Sequence, residues 1–244
     1  YVSNEKDKAL EYFTTAIEVA PDFDEAYNIR GDFYDEENKL ELALADYQKA
    51  LELNPNEKGH YFKIALMYQE LNQFDNAISF YKQYLDKFGP DEVVYRNIGF
   101  YYQYDIKDYK KAIEYYNLSL KTNANYDLSY VNLALSYIEI GEKNKALENI
   151  AKAIELKPEV DEYYVYRGEF YKNEKQWELA LADFQKALEL NPDEKEHYFQ
   201  IAYIYQMLNQ FDNGISFYIQ YLDKFGPDAL VYYNIGIIYY ESLK

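Results

Sequence analysis

The stretch that decides the fold is ELALADYQKALELNP, residues 41–55, which returns as ELALADFQKALELNP at residues 178–192 with one change, Tyr47 against Phe184. In the first copy Leu40, Ala43, Tyr47, Ala50 and Leu51 recur at helical spacing, so one face of a helix is apolar, and Pro55 ends it. The echo belongs to a larger duplication: residues 24–103 align with residues 161–240 at an offset of 137, and 56 of the 80 pairs are identical. Inside the duplication runs a shorter period. Tyr27, Gly31, Tyr34, Ala43, Tyr47, Ala50 and Pro55 return 34 residues later as Tyr61, Ala65, Tyr68, Ala77, Tyr81 and Tyr84, with Pro90 one place late. One extra residue falls in YYQYDIKDYKKA (101–112), where a turn absorbs it, and the period resumes at Tyr130, Ala134, Tyr137 and Gly141.

This order of aromatic, small, aromatic, then alanine, aromatic, alanine and proline at a 34-residue period resembles the tetratricopeptide repeat over nearly the whole chain. The resemblance implies an all-α fold, a right-handed superhelical solenoid of antiparallel helix pairs in a single domain, 1–244. Its units are a partial repeat 1–23, full repeats 24–57, 58–91, 92–126, 127–160, 161–194 and 195–228, and a terminal first helix 229–244. That makes fourteen helices: one, six pairs, one. Departures are local: Gly214 replaces a second-helix alanine, Tyr84 and Tyr221 replace another, and TNANYD (122–127) lacks the closing proline. Read without the family, Gly31 and Ala43 let two helix axes approach while large tyrosines fill space around them. FGP at 88–90 and 225–227 supplies a glycine for a left-handed cap and a proline that prevents continuation. A lone hairpin cannot cover both of its faces, so each stacks on the next.

Composition narrows the partner. With 43 acidic and 25 basic side chains the net charge is -18, which repels nucleic acid and anionic membrane surfaces and leaves basic or neutral partners as the easier choice. No apolar run is long enough to insert into a membrane. The chain has no cysteine, opens on Tyr1 without a signal-peptide pattern and reads as a fragment, with a cytoplasmic location as the default. None of the common catalytic motifs occurs, and His60 and His197, one repeat position seen twice, read as surface residues outside any metal-binding spacing. NLS at 117–119 lies mid-helix and is not read as a glycosylation site. The expectation is a non-enzymatic scaffold without a cofactor. The alternative is a regulatory or targeting module of a larger enzyme or membrane-associated assembly.

The resemblance also implies where a ligand would lie: first helices line a concave face, with repeat positions 2, 5, 9, 12 and 13 turned towards it. Carried over, this gives acidic flanks such as Glu169 around a centre that includes Phe62, Arg96, Phe100, Val131 and Leu135, with Phe199 and Tyr203 following in the repeat beyond Glu169. Such a lining suits a protein or peptide segment with apolar and in part basic side chains; each residue could instead pack against its neighbours. Repeat position 6, where the family often holds a backbone-reading asparagine, is Asn97, Asn132 and Asn234; these amides either read a peptide or bond to adjoining turns. The family's lysine, asparagine and arginine clamp for a chain-terminal carboxylate is absent. Incomplete repeats at both ends leave apolar stripes that imply weak end-to-end self-association, promoted by salt.

Overall fold

In a computed structural model, residues 2–241 are described and fold as helices joined by short turns. By contact density the chain divides into two units, residues 1–126 and residues 127–244. The first unit holds α1 (Val2–Val19), α2 (Asp24–Glu36), α3 (Leu40–Leu53), α4 (Lys58–Glu70), α5 (Phe74–Phe88), α6 (Glu92–Tyr104) and α7 (Tyr109–Thr122). The second holds α8 (Asp127–Glu139), α9 (Lys143–Leu156), α10 (Asp161–Asn173), α11 (Trp177–Leu190), α12 (Lys195–Met207), α13 (Phe211–Phe225) and α14 (Ala229–Glu241). Within each unit neighbouring helices form antiparallel pairs, α2 with α3 or α10 with α11 for example, and successive pairs stack.

The turn inside each pair is three residues long because one of them adopts a left-handed conformation: Asn38, Asn72, Gly141, Lys175 and Asn209 have φ between 55° and 79°. The carbonyl of a first-helix tyrosine then accepts from the residue beyond, as Tyr34 does from the Lys39 N–H at 2.8 Å. Between α6 and α7 the turn takes four residues with Lys107 left-handed, which is where the extra residue goes. Between pairs, four tyrosines reach back six residues to a turn carbonyl: Tyr27 to Pro21, and Tyr61, Tyr164 and Tyr198 to Pro55, Pro158 and Pro192. A phenylalanine there would lose this bond, although the Pro55 and Pro192 carbonyls also accept from Lys87 and Lys224. Gly89 and Gly226 end α5 and α13 at φ 90° with ψ -174° and -175°, an extended backbone available essentially to glycine, and not the left-handed cap expected.

Ala43 and Tyr47 are fully buried, but the small first-helix residue serves a different neighbour from the one the sequence implied. A Cβ on Gly31 would stand 2.6 Å from the Tyr47 ring, and one on Gly99 2.6 Å from Tyr116. The glycine is a seat for the second-helix aromatic ring, not a device for approaching Ala43. The one difference between the two echoed stretches follows: Tyr47 donates to Asp32 at 2.7 Å, whereas the residue equivalent to Asp32 is Glu169, held by Lys172 at 2.6 Å, and Phe184 needs no acceptor. Each copy also clips its pair with a bidentate ion pair, Arg30 on Asp46 at 2.7 and 2.8 Å and Arg167 on Asp183 at 2.8 and 2.7 Å.

The two histidines correct their sequence reading. His60 and His197 are buried, each 3% exposed. His197 Nε2 lies 3.0 Å from Asp161, which also accepts from Asn191 at 3.0 Å; His60 lies 3.4 Å from Asp24, which accepts from Asn54 at 2.9 Å. Each trio ties the start of one pair and its end to the first helix of the next. Burial raises the Asp161 carboxyl, but the bonds from His197 and Asn191 outweigh it and hold the group below the ordinary carboxylate range.

Candidate peptide-binding surface

In the first unit a cavity of about 230 Å³ opens between α4 and α6, lined by Leu66, Gln69, Arg96, Asn97, Phe100 and Tyr101. Three residues expected at the site, Arg96, Asn97 and Phe100, are therefore together. The Arg96 guanidinium lies over the Phe100 ring at 5.2 Å, a cation–π contact, and Phe100 packs against Tyr104 at 4.4 Å. The Asn97 amide is spent internally: it donates to the Tyr81 hydroxyl at 3.0 Å and accepts from Arg96 at 3.3 Å. Burial pushes that hydroxyl up to about 12 against the pull of Asn97. Phe62 stands outside this cavity, edge-on to Tyr81 at 5.7 Å.

The second unit carries two cavities along α10. One of about 360 Å³ lies between α8 and α10 and joins Leu135 and Glu169 with Ile138, Tyr166, Phe170 and Asn173. The other, about 260 Å³ between α10 and α12, has Val165, Tyr166 and Phe184 at its apolar part and Glu162, Glu169, Glu194 and Glu196 around them. Glu169 and Tyr166 border both. Val131 is packed into the core with Ala153 and Tyr163 and leaves the lining. Asn132 is buried, its Nδ2 without a hydrogen-bond partner. Phe199 turns edge-on to Tyr218 at 5.7 Å, Tyr203 packs beside the Ile201 and Ile204 core, and Asn234 lies on α14. These last three are not brought into either cavity.

The expectation does not name several lining residues, Gln69, Tyr101, Tyr166, Phe170 and Phe184 among them. Gln69 occupies repeat position 12 and could have been found by the same rule that gave Arg96. Tyr166 occupies repeat position 6, where the family resemblance points to asparagine. Among the described residues no group of three His, Asp or Glu side chains is placed to hold a metal ion, and no helix is long and apolar enough to cross a membrane.

Sequence models described as Tetratricopeptide repeat match residues 24–57, 61–89, 94–126, 128–160, 162–194 and 183–215. The chain belongs to the tetratricopeptide repeat family. These tetratricopeptide repeats are 25% identical over 172 residues to anaphase-promoting complex subunit 3 of Schizosaccharomyces pombe, covering 70% of this chain and 26% of that protein. The chain thus spans about a quarter of that relative's length. A TPR repeat-containing protein of Cytophaga hutchinsonii, solved for its C-terminal part, superposes with a TM-score of 0.75 at 19% identity, covering 94% of each chain. YrrB, described as a TPR protein with an unusual peptide-binding site, gives a TM-score of 0.57 at 23% identity, with 77% of this chain and 96% of that one covered. At these identities the two structures share the fold, and a tetratricopeptide fold generally mediates protein–protein interaction.

Proposed function

We propose that this chain is a non-catalytic scaffold that holds a peptide segment of its partner against its first helices. One observation carries the reading: the cavities between α4 and α6, α8 and α10, and α10 and α12 are lined mainly by first-helix side chains, most of them only partly buried. Second helices give their alanines and tyrosines to packing instead. In the α10–α12 cleft an apolar part made by Val165 and Tyr166 over the buried Phe184 ring, with four glutamates around it, suits an apolar side chain followed by Lys or Arg. Burial of the apolar group supplies affinity, and the acidic surround of a chain carrying -18 speeds encounter with a basic segment.

Capped nonapeptides that vary apolar and charged content independently, read by fluorescence polarisation, test this. Binders should combine Phe, Leu or Ile with Lys or Arg, and the double variant Tyr166→Ala, Glu162→Gln should weaken them about tenfold or more, as loss of an anchor does. Binding that ignores both substitutions, or a complete absence of binders, contradicts the proposal. A second reading, that the repeats are the binding part of a larger enzyme or membrane-associated assembly, is supported by the chain's spanning only 26% of its fission-yeast relative. A catalytic or anchoring segment in the complete gene product would favour it.

A further inference from the structure

The three arginines of the chain are not in the same state. Arg30 and Arg167 have their forks closed on Asp46 and Asp183. Arg96 has no carboxylate within 4.0 Å among the described residues; its Nη1 reaches Asn97 at 3.3 Å and its buried Nε has no partner. A guanidinium carries five N–H donors, and stacking on a ring occupies its face and leaves its edge to hydrogen bonds. Arg96 is stacked in this way on Phe100 and borders the α4–α6 cavity.

Folding does not call for arginine there. In the duplicated copy the position is Tyr233, and Leu66, Phe100 and Tyr101 become Tyr203, Ile237 and Ile238, while Gln69 and Asn97 return as Gln206 and Asn234. Four of the six cavity residues therefore differ, against 24 of 80 across the whole duplication. The packing pattern persists while this lining does not.

From this geometry we infer that Arg96 receives a side-chain carboxylate, the Asp or Glu of a bound peptide, in the α4–α6 cavity. The inference rests on the groove reading above and adds an acidic position to the partner, flanked by the apolar side chains that Leu66 and Phe100 accept. A planar monoanion matches the edge of a stacked guanidinium, and a dianion such as a phosphate meets twice the repulsion from a chain of net charge -18.

The test follows the Nε–H signals of protein labelled with nitrogen-15 arginine, of which there are three. Acetate should move one of them saturably, assigned to Arg96 by its loss in Arg96→Gln, and acetamide should not. Among Ac-Phe-Glu-Phe-NH2, Ac-Phe-Gln-Phe-NH2 and Ac-Phe-Lys-Phe-NH2, capped so that no chain terminus competes, the Glu peptide should bind about tenfold more tightly than the Gln peptide, the scale of one charge-assisted hydrogen bond. That preference should vanish in Arg96→Gln and turn towards Lys in Arg96→Glu, with helicity unchanged by circular dichroism. Equal movement of all three signals with acetate, or equal affinity for Glu and Gln peptides, overturns the inference. If apolar and basic nonapeptides bind while Glu and Gln peptides do not differ, the Arg96 assignment fails alone. If no peptide of either set binds, it falls together with the groove reading.

Discussion

Replacing Gly31 by alanine puts the account of helix pairing to a quantitative test. A Cβ at residue 31 would lie 2.6 Å from Tyr47 Cε1 and 2.8 Å from Cδ1. Unstrained carbon atoms stand about 3.5–4.0 Å apart, so the ring must withdraw by about 1 Å. It has little room to do so, being 1% exposed with its hydroxyl fixed to Asp32 at 2.7 Å. Overpacking of this kind costs about 1–3 kcal/mol, and the gain in helix propensity returns about 1 kcal/mol. A net loss of about 0–2 kcal/mol, centred on about 1, is expected. Gly236 is the control: a Cβ there meets nothing within 4 Å, so Gly236→Ala keeps the propensity gain of up to about 1 kcal/mol. Urea midpoints by far-ultraviolet circular dichroism report both, compared as midpoints because stacked repeats need not unfold in one step. A Gly31→Ala midpoint raised above the parent as far as that of Gly236→Ala would refute the ring-seat explanation.

Gly214→Ala should give no comparable gain, because its Cβ would press at 3.1 Å on the Ala202 carbonyl, a backbone atom that cannot turn aside; a midpoint raised as far as that of Gly236→Ala would contradict this. Asp183→Ala strands the Arg167 guanidinium, itself about a quarter exposed, and should cost about 1.5–3 kcal/mol, with Arg167→Met in the same background recovering part of it. Asp161, held low, contributes stability that is present above the ordinary carboxylate pKa of about 4 and is lost as pH falls through its lower folded value. The midpoint should therefore drop below about pH 4, and less steeply in Asp161→Asn, whereas parallel profiles would exclude the His197 and Asn191 trio as the cause.

The pairing and stacking of helices were legible because a single physical demand, burying two faces of every hairpin, is written into the sequence again and again at one period. Pro55 and its equivalents showed the turns, and the shifted Ala112 showed where the longer turn falls. Contacts decided across helices were less visible. Spacing puts Gly31 on the inner face of α2 but cannot say that Tyr47, and not Ala43, lies on it. His60 looked like surface because it is polar and near a helix start; its burial depends on Asp24 and Asn54, 36 and 6 residues away, although the same trio in the second copy was a signal. At the candidate surface, repeat position fixed which side chains leave the first helices, and neighbour size fixed where they go: Phe62 and Phe199 fold onto Tyr81 and Tyr218, and Val131 sinks into the core.

Photo-crosslinking tests the central claim most directly. A binding nonapeptide carrying benzoylphenylalanine at its apolar position is irradiated with the protein, and the attachment points are mapped by mass spectrometry. The account expects them on first helices, at α4 and α6 around Leu66 and Phe100 or along α10 around Tyr166. Attachment concentrated on the second helices α3, α5, α9 and α11 would contradict it.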